Sequence, residues 1–352
     1  MFEFTDPLEQ LNEPNALNKY KAAGLIATKA INEAVKSLHP NTKLLDLANQ
    51  TTKFILDECT KTYKDVTYKG LAFPVCISKN HITGHYIPKE NEVANNGDLI
   101  KIELGVHIDG YPALIAFTTL ITENNQKYND QRAKTLKAVI ESSKEIVGMM
   151  KPGKTNKDVV KIMEKYAEKY NCNLPVYNDN EFDVIPGLMS YEISRGIIDG
   201  YNDDDDEYVH RFILSRNNPN YDFALRETEF EENEVYAVDI LMSSGTGRLQ
   251  NMNETYIYKR VHSIFESLKL KASRDVVSSF GKELFPVKVD PNNVRIKLGL
   301  KECIEKDLLT VYPTTCEKEG EFVARIKFTV IVKDKPILVC GKPADSELGK
   351  LE

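Results

Sequence analysis

Histidine and cysteine side chains most often carry metal or nucleophile chemistry near neutral pH, and their spacing in this sequence favours neither. The six cysteines include no CxxC pair, which is typical of free thiols in a reducing compartment. His107, beside Asp109-Gly110, is predicted to be a strand-end residue. The other histidines without ligand spacing are His39, His81, His210 and His262. The sequence also contains no GxSxG, HExxH, Walker or GxGxxG pattern, so it carries none of these hydrolase, zinc-peptidase or nucleotide-binding signatures.

Basic side chains form the other group with chemical potential, because lysine and arginine can bind phosphate. Between residues 259 and 301 ten basic residues face four acidic ones, a net charge of +6, so the rest of the chain carries −13 of the total of −7. Such segregation can orient one face of a protein towards RNA, although a basic segment can also be a solvated face. The ten are Lys259, Arg260, Lys269, Lys271, Arg274, Lys282, Lys288, Arg295, Lys297 and Lys301, and the first nine of them are the predicted phosphate-binding residues.

The elements that would position these residues follow from the hydrophobic periodicity. A period near 3.6 predicts helices over 16–38, 43–58, 130–150 and 156–170. A period of two on both sides of Asp109-Gly110 predicts a long β-hairpin that starts at Asp98. Further strands are predicted for NEVYAVDILMSS and GEFVARIKFTVIV, with two helical segments between them.

The order of these elements indicates an internal duplication. Two helices and a strand pair occur twice, and GDLIKIE resembles NEVYAVD at corresponding places. Neither unit could bury its sheet alone, so the pattern predicts one α+β domain in which helices cover a curved antiparallel sheet, with a pocket between the halves.

Composition bounds the class of protein. A chain of 352 residues with 41% hydrophobic and 28% charged residues can bury a large core and is not disordered. No apolar run approaches the roughly 20 residues of a membrane span, and the N-terminal segment has no apolar signal core. We therefore expect no membrane association and a cytoplasmic location, with a nuclear or nucleolar one left open.

The chain resembles the methionine aminopeptidases, which have the pita-bread fold, in its duplication and in GDLIKIELGVHIDGY, NEVYAVDILMSSGTG and EKEGEFVARIKFTVIV. The helical segment before the last long strand resembles the insert of the type 2 enzymes. Closer still is the proliferation-associated, ErbB-receptor-binding protein family, a non-peptidase branch of that fold, in VYAVDILMSSGTG, TYIYKR, LKLKASR and EKEGEFVA. The resemblance implies a single pita-bread domain over 1–352 with a basic insert subdomain at 259–312.

The resemblance also implies where a metal site would lie. Active enzymes of this fold hold two divalent ions with Asp, Asp, His, Glu and Glu. The matching positions here are Glu103, Leu114, Tyr191, Asp239 and Lys327. A leucine cannot bridge metals, a neutral tyrosine replaces histidine poorly, and Lys327 puts an ammonium in place of a divalent ion. We expect Lys327 to pair with Glu103 or Asp239, and expect no metal, no cofactor and no catalytic residue.

His85, in TGHYIP, matches the histidine that faces substrate in the active enzymes. A histidine is catalytic only beside an activated partner, so a structural residue of the pocket wall is the favoured interpretation. The alternative is a residual methionine aminopeptidase that holds one metal on Glu103, Asp239 and His85. The chain is therefore predicted not to be an enzyme.

Members of the resembled family bind the large ribosomal subunit near the exit of the nascent-chain tunnel, with the insert towards ribosomal RNA. The resemblance therefore implies a ribosome-associated translation, biogenesis or dormancy factor whose partners are ribosomal RNA and tunnel-exit proteins. A chain that already contains two similar halves is expected to be a monomer. The family's lysine-rich tail is absent from this sequence, so we expect a smaller salt dependence. A further alternative, a peptide- or histone-binding chaperone, is disfavoured by the type 2 insert.

Overall fold

A computed structural model describes residues 10–123, 126–176, 188–199, 211–215, 227–252, 254–290, 293–341 and 345–352. The acidic run at 203–207 and His210 lie outside these residues. No helix in the described part of the chain is long and apolar enough to cross a bilayer.

The helices follow the periodic segments closely, because each has an apolar stripe to bury and a polar face for solvent. The two predicted pairs end within three residues of the predicted bounds. The helices are α1 (Ala16–Lys36), α2 (Leu44–Lys61), α3 (Gln131–Met149), α4 (Asn156–Tyr170), α5 (Lys271–Phe280), α6 (Val294–Glu305) and α7 (Asp345–Leu348).

Long strands form the centre of the main sheet, and most of the short strands lie at its edges or in the two small sheets. Those of the first half are β1 (Lys69–Lys79), β2 (Ile82–Gly84), β3 (Leu99–Ile108) and β4 (Tyr111–Leu120). Those that follow are β5 (Ser190–Glu192), β6 (Phe212–Ile213), β7 (Val235–Ser243), β8 (Gln250–Asn251), β9 (Ile257–Arg260), β10 (Val287–Lys288), β11 (Leu309–Tyr312), β12 (Thr315–Cys316), β13 (Val323–Ile331) and β14 (Ile337–Cys340).

The main sheet is antiparallel and has the order β1-β3-β4-β13-β7-β5-β6, with β14 also paired to β13. The arrangement is pseudo-symmetric about the β4·β13 pair, since β1-β3-β4 on one side corresponds to β5-β7-β13 on the other. The duplication predicted from the sequence therefore appears as two half-sheets joined at their centre.

Each half-sheet is covered by its own helix pair. Helices α1 and α2 pack with β1, β3 and β4 around one apolar cluster, and α3 and α4 pack with β7 and β13 around a second. Burial of these apolar faces is the main favourable term in folding such a layered domain.

The predicted hairpin is confirmed as β3 and β4, which pair from Leu99↔Leu120 to Ile108↔Tyr111. Asp109 and Gly110 connect the strands with φ of 54° and 83°. Two positive φ angles are what a tight two-residue hairpin turn requires, and the Asp-Gly pair adopts them readily.

Residues 257–312 form a three-stranded sheet, β10-β9-β11, with α5 and α6 packed together beside it. They enclose a third apolar cluster that includes Val276, Phe280, Leu300 and Cys303. This unit, called the insert below, therefore has apolar contacts of its own.

Candidate functional site

Sheet register brings together three of the positions predicted to correspond to metal ligands. Glu103 on β3 lies opposite Ala116 on β4, Ala116 lies opposite Lys327 on β13, and Lys327 lies opposite Asp239 on β7. These residues form one row across the four central strands. Because side chains alternate along a strand, the row shares one face of the sheet with residues two positions away, such as Leu114 and Arg325.

Arg325 lies between the two carboxylates and binds both of them. Its guanidinium donates to Asp239 through Nε to Oδ1 at 2.8 Å and Nη2 to Oδ2 at 2.6 Å. It also donates to Glu103 through Nη1 to Oε2 at 2.8 Å and Nη2 to Oε1 at 2.7 Å. All three guanidinium nitrogens of Arg325 thus donate to a carboxylate, in two forked pairs of hydrogen bonds. These bonds link the two halves of the sheet.

Lys327 adds a second cation to the same pair of acids. Its Nζ lies 3.0 Å from Glu103 Oε1 and 3.0 Å from Asp239 Oδ2. All four side chains are buried, with at most 5% exposure. We call these residues, Glu103, Asp239, Arg325 and Lys327, the charge cluster, and its formal charges sum to zero.

The charges in the cluster stabilise one another's ionised forms. Burial alone would raise the pKa of Glu103, but Arg325 and Lys327 outweigh it and hold that pKa well below its ordinary value. Burial alone would lower the pKa of Arg325, but Asp239 and Glu103 outweigh it and raise that pKa. All four groups need their partners, because an unpaired buried charge is strongly unfavourable.

The two other predicted positions contribute packing rather than charge. Leu114 packs against Gly105, where a Cβ atom would lie 2.5 Å from Leu114 Cδ2. Tyr191, on β5 opposite Ala237, is buried and makes an edge contact with Phe212 at 5.7 Å between ring centroids. Neither side chain brings an anionic donor to the row.

His85 is buried beside the cluster between two aromatic rings, with centroids 5.2 Å from Phe73 and 5.9 Å from Tyr312. Its Nδ1 lies 3.2 Å from the carbonyl oxygen of Pro313. Its Nε2 lies 3.9 Å from Glu103 Oε2 and has no hydrogen-bond partner within the described structure. Burial lowers the pKa of His85 to about 4, so the ring is neutral at physiological pH.

The donor set at this position does not fit a dinuclear metal centre. The two carboxylates already bind Arg325 and Lys327, and a divalent ion would have to displace both cations. Leu114 offers no ligand atom, and hard divalent ions prefer anionic oxygen and imidazole ligands. Among the described residues, no group of three or more histidine, cysteine and acidic side chains has a metal-holding arrangement.

Within the basic segment, the structure contradicts the predicted phosphate-binding role of Lys259. Lys259 is 7% exposed, and its Nζ lies 2.5 Å from Asp199 Oδ2. Tyr312 donates to the same carboxylate oxygen at 2.6 Å. Lys259 therefore compensates a buried acid and is not available to phosphate.

Arg260 is also engaged within the protein. Its half-buried guanidinium donates to the carbonyl oxygen of Leu308 at 3.0 Å and to that of Ile264 at 3.4 Å. A guanidinium has five N–H donors, so these two hydrogen bonds do not exclude a phosphate contact, and the RNA contact of Arg260 stays a prediction.

Seven predicted phosphate-binding residues are exposed on the insert. They are Lys269, Lys271, Arg274, Lys282, Lys288, Arg295 and Lys297. Arg274 also donates to the carbonyl oxygen of Leu268 at 2.7 Å, and Arg295 pairs with Asp275. Exposed pairs of this kind are weak and exchange readily for other partners.

Arg325 and Asp199 are the site residues that were not predicted from the sequence. The sequence did contain a signal for Arg325. It lies two positions from Lys327 in a predicted strand, so both side chains are expected on the same face of the sheet. Asp199 had none, because its partners Lys259 and Tyr312 lie 60 and 113 residues away.

Comparison with known proteins agrees with the fold. Residues 18–265 match metallopeptidase family M24. ErbB-3 binding protein 1 of Arabidopsis thaliana is 34% identical over 333 residues, which cover 92% of this chain and 79% of that protein. Proliferation-associated protein A of Dictyostelium discoideum is 32% identical over 335 residues, covering 92% and 81%.

A solved structure of a thermophilic Arx1 superimposes with a TM-score of 0.79 over 95% of this chain and 93% of that chain, at 22% identity. The fold is thus the pita-bread fold of M24 proteins. The chain belongs to metallopeptidase family M24, in the branch that contains the ErbB-3-binding and proliferation-associated proteins.

Proposed function

We propose that this chain is a non-catalytic M24 protein that binds the large ribosomal subunit near the nascent-chain tunnel exit. The insert, predicted to span 259–312 within a single domain, faces ribosomal RNA and neighbouring ribosomal proteins. The protein acts there as a monomeric translation, biogenesis or dormancy factor in the cytoplasm, with a nuclear or nucleolar location left open.

The charge cluster is the observation that carries this proposal. Its two cations neutralise the two carboxylates at the position where the family's enzymes activate water on metal ions. A neutral, buried and fully paired cluster supplies neither a Lewis acid nor an activated nucleophile. The function of the protein then depends on its binding surfaces rather than on catalysis in the charge cluster.

The exposed basic side chains of the insert supply the surface that suits RNA. Lysine and arginine side chains bind phosphates without reading sequence, and their affinity falls as salt rises. The family resemblance supports the large ribosomal subunit as the partner, and the acidic body of the chain would orient the insert towards it.

Charge reversal on the insert tests the RNA contact. The triple variant Lys269→Glu, Lys271→Glu, Lys282→Glu changes exposed lysines whose ammonium groups make no hydrogen bond or ion pair within the part of the chain that the structure describes. We expect it to lose co-sedimentation with purified large subunits at low salt. The matched control is Lys36→Glu, Lys53→Glu, Lys161→Glu, which reverses three exposed charges on the body.

The control should bind like the wild type, apart from a small effect of net charge. Equal binding by the insert triple variant and the wild type would refute the RNA contact. Failure of the wild-type protein to bind large subunits at any salt concentration would refute the proposed function as a whole.

The residual aminopeptidase remains the competing function, because His85 has a buried Nε2 beside Glu103. Metal analysis of the purified protein and release of methionine from a Met-Ala peptide decide between the two. We expect no stoichiometric metal and no methionine release. Activity that is lost in Glu103→Gln and restored by added divalent metal in the wild type would establish the enzyme instead.

A further inference from the structure

Exposed apolar side chains are concentrated on the insert. Seven large hydrophobic side chains in the described part of the chain are exposed, and five of them lie between residues 265 and 304. They are Phe265 (86%), Leu270 (45%), Val294 (74%), Leu298 (54%) and Ile304 (37%). Single exposed leucines are ordinary, but this concentration on one small unit indicates an interaction surface.

Helix α6 organises this surface. Asn293 begins the helix, since its side chain accepts from the backbone N–H groups of Arg295 and Ile296. On the inner side, Gly299 comes so close to α5 that a Cβ atom there would lie 2.6 Å from the carbonyl oxygen of Ala272. Leu300 and Cys303 are buried on that side. The opposite side of α6 therefore faces solvent.

The outward side of α6 carries both apolar and basic residues. Val294 and Leu298 are four residues apart and lie one above the other. Lys297 and Lys301 follow them at a spacing of three, so both lysines lie beside the apolar pair on the helix surface, with Lys301 Nζ 3.8 Å from Glu305 Oε1. We call these four residues the α6 face.

Two contacts bring the preceding loop to the same helix. Lys306, just after α6, lies 3.1 Å from Glu266, the neighbour of Phe265. Glu302 of α6 accepts from the backbone N–H of Leu270 at 3.0 Å. The segment that carries Phe265 and Leu270 is thus held against the C-terminal part of α6.

We infer that the α6 face binds an apolar patch on a protein of the large ribosomal subunit; this rests on the proposed function. Phosphate cannot desolvate a valine or a leucine favourably, so an RNA backbone leaves Val294 and Leu298 without a partner. A ribosomal protein surrounded by RNA phosphates offers an apolar patch in a negative environment, which complements an apolar pair bordered by lysines. The face therefore contacts protein, while the exposed lysines elsewhere on the insert contact RNA.

The test compares affinity with salt dependence. The variant Val294→Gln, Leu298→Gln keeps a good helix former at each position and removes only the apolar surface. We expect its affinity for purified large subunits to fall about tenfold or more, because each buried aliphatic side chain contributes on that scale. The slope of log affinity against log salt should be unchanged, since no phosphate contact is lost.

Leu25→Gln, Leu56→Gln is the matched control, because these are the two exposed leucines outside the insert among the described residues. It should bind like the wild type. If the wild type binds subunits but Val294→Gln, Leu298→Gln binds equally well, the inference is wrong and the proposed function stands. If the wild type does not bind subunits, both are wrong.

A photoreactive benzophenone residue at position 298 identifies the occupant directly. We expect adducts with subunits that survive ribonuclease and are removed by protease, whereas the same probe at position 271 should give RNA adducts. RNA adducts from position 298 would overturn the inference. So would a dimer in sedimentation velocity that Val294→Gln, Leu298→Gln abolishes, because a second copy of the chain would then cover the face.

Discussion

At the scale of single residues, Arg325 has the largest energetic role in the site. It is 1% exposed and bonds two carboxylates from different halves of the sheet. Four forked hydrogen bonds offset the cost of burying the charges, so the cluster stabilises the fold only while it is complete.

Replacing Arg325→Met should therefore lower the free energy of unfolding by about 3–5 kcal/mol, since Lys327 alone faces two buried acids. Urea denaturation at neutral pH measures this. The control Lys53→Met removes one partner of an exposed pair with Asp57 and should cost about 0–1 kcal/mol. A loss below about 1 kcal/mol in Arg325→Met would contradict the predicted dependence on paired charges.

His107 is the second residue whose ionisation matters for stability. Its ring lies 4.5 Å from those of Tyr68 and Phe285, and its Nδ1 accepts from the backbone N–H of Gly110 at 3.3 Å. Burial lowers the pKa of His107 to about 3, so the folded protein holds it neutral where the unfolded chain takes up a proton.

The stability contributed by neutral His107 is present above the unfolded pKa near 6.5 and is lost as pH falls towards 3. From pH 7 to pH 5 this one group should reduce the free energy of unfolding by about 2 kcal/mol. Denaturation of His107→Gln at both pH values checks the prediction, because the variant should lose that part of the pH dependence. An unchanged pH dependence would mean that His107 does not titrate in this way.

At the scale of elements, close backbone contacts decide how helices meet strands. Gly24, inside α1, lies so near β14 that a Cβ atom would approach Val339 O to 2.2 Å. Gly148, inside α3, has nothing within 4 Å of that position. The same substitution should therefore have opposite effects in the two helices.

Gly148→Ala should stabilise the protein by about 0.5–1 kcal/mol through helix propensity alone. Gly24→Ala should destabilise it by about 1–3 kcal/mol, because α1 must move away from the strand. Thermal unfolding of both variants measures the difference. Stabilisation by Gly24→Ala would show that α1 can move away from β14 at little cost.

At the scale of the whole molecule, fewer basic side chains of the insert are available to phosphate than the sequence predicts. Lys259 is buried and paired with Asp199, so it does not contribute to a phosphate-binding face, and two donors of Arg260 bind backbone carbonyl groups. Seven of the predicted residues remain exposed there.

We expect this count to limit the salt dependence of ribosome binding. Each phosphate contact contributes about −0.7 to −0.9 to the slope of log affinity against log salt, so the slope should be no steeper than about −6. Lys259→Gln should leave the slope unchanged while destabilising the insert, whereas Lys271→Gln should reduce it by about one contact. A binding titration over a salt series checks both, and equal slope changes in the two variants would contradict the structure.

The sequence by itself determined the four helices of the two pairs, the duplication and the hairpin, but not strands such as β1 and β14. Periodicity and turn chemistry are local properties, so α1, α3, α4 and the β3–β4 hairpin could be predicted nearly to their ends. The resemblance of the surrounding segments also predicted Glu103, Asp239 and Lys327 as positions that correspond to metal ligands.

Only the tertiary structure decided which charges pair. Strand register set Arg325 between Glu103 and Asp239, and the packing of β9 and β11 on the body joined Lys259 and Tyr312 to Asp199. Residue type shows that a side chain is charged, but its availability depends on burial and on partners far away in the chain. For the same reason the sequence did not show which side of α6 is exposed. The packing of α5 against Gly299, Leu300 and Cys303 decides that Val294 and Leu298 face solvent.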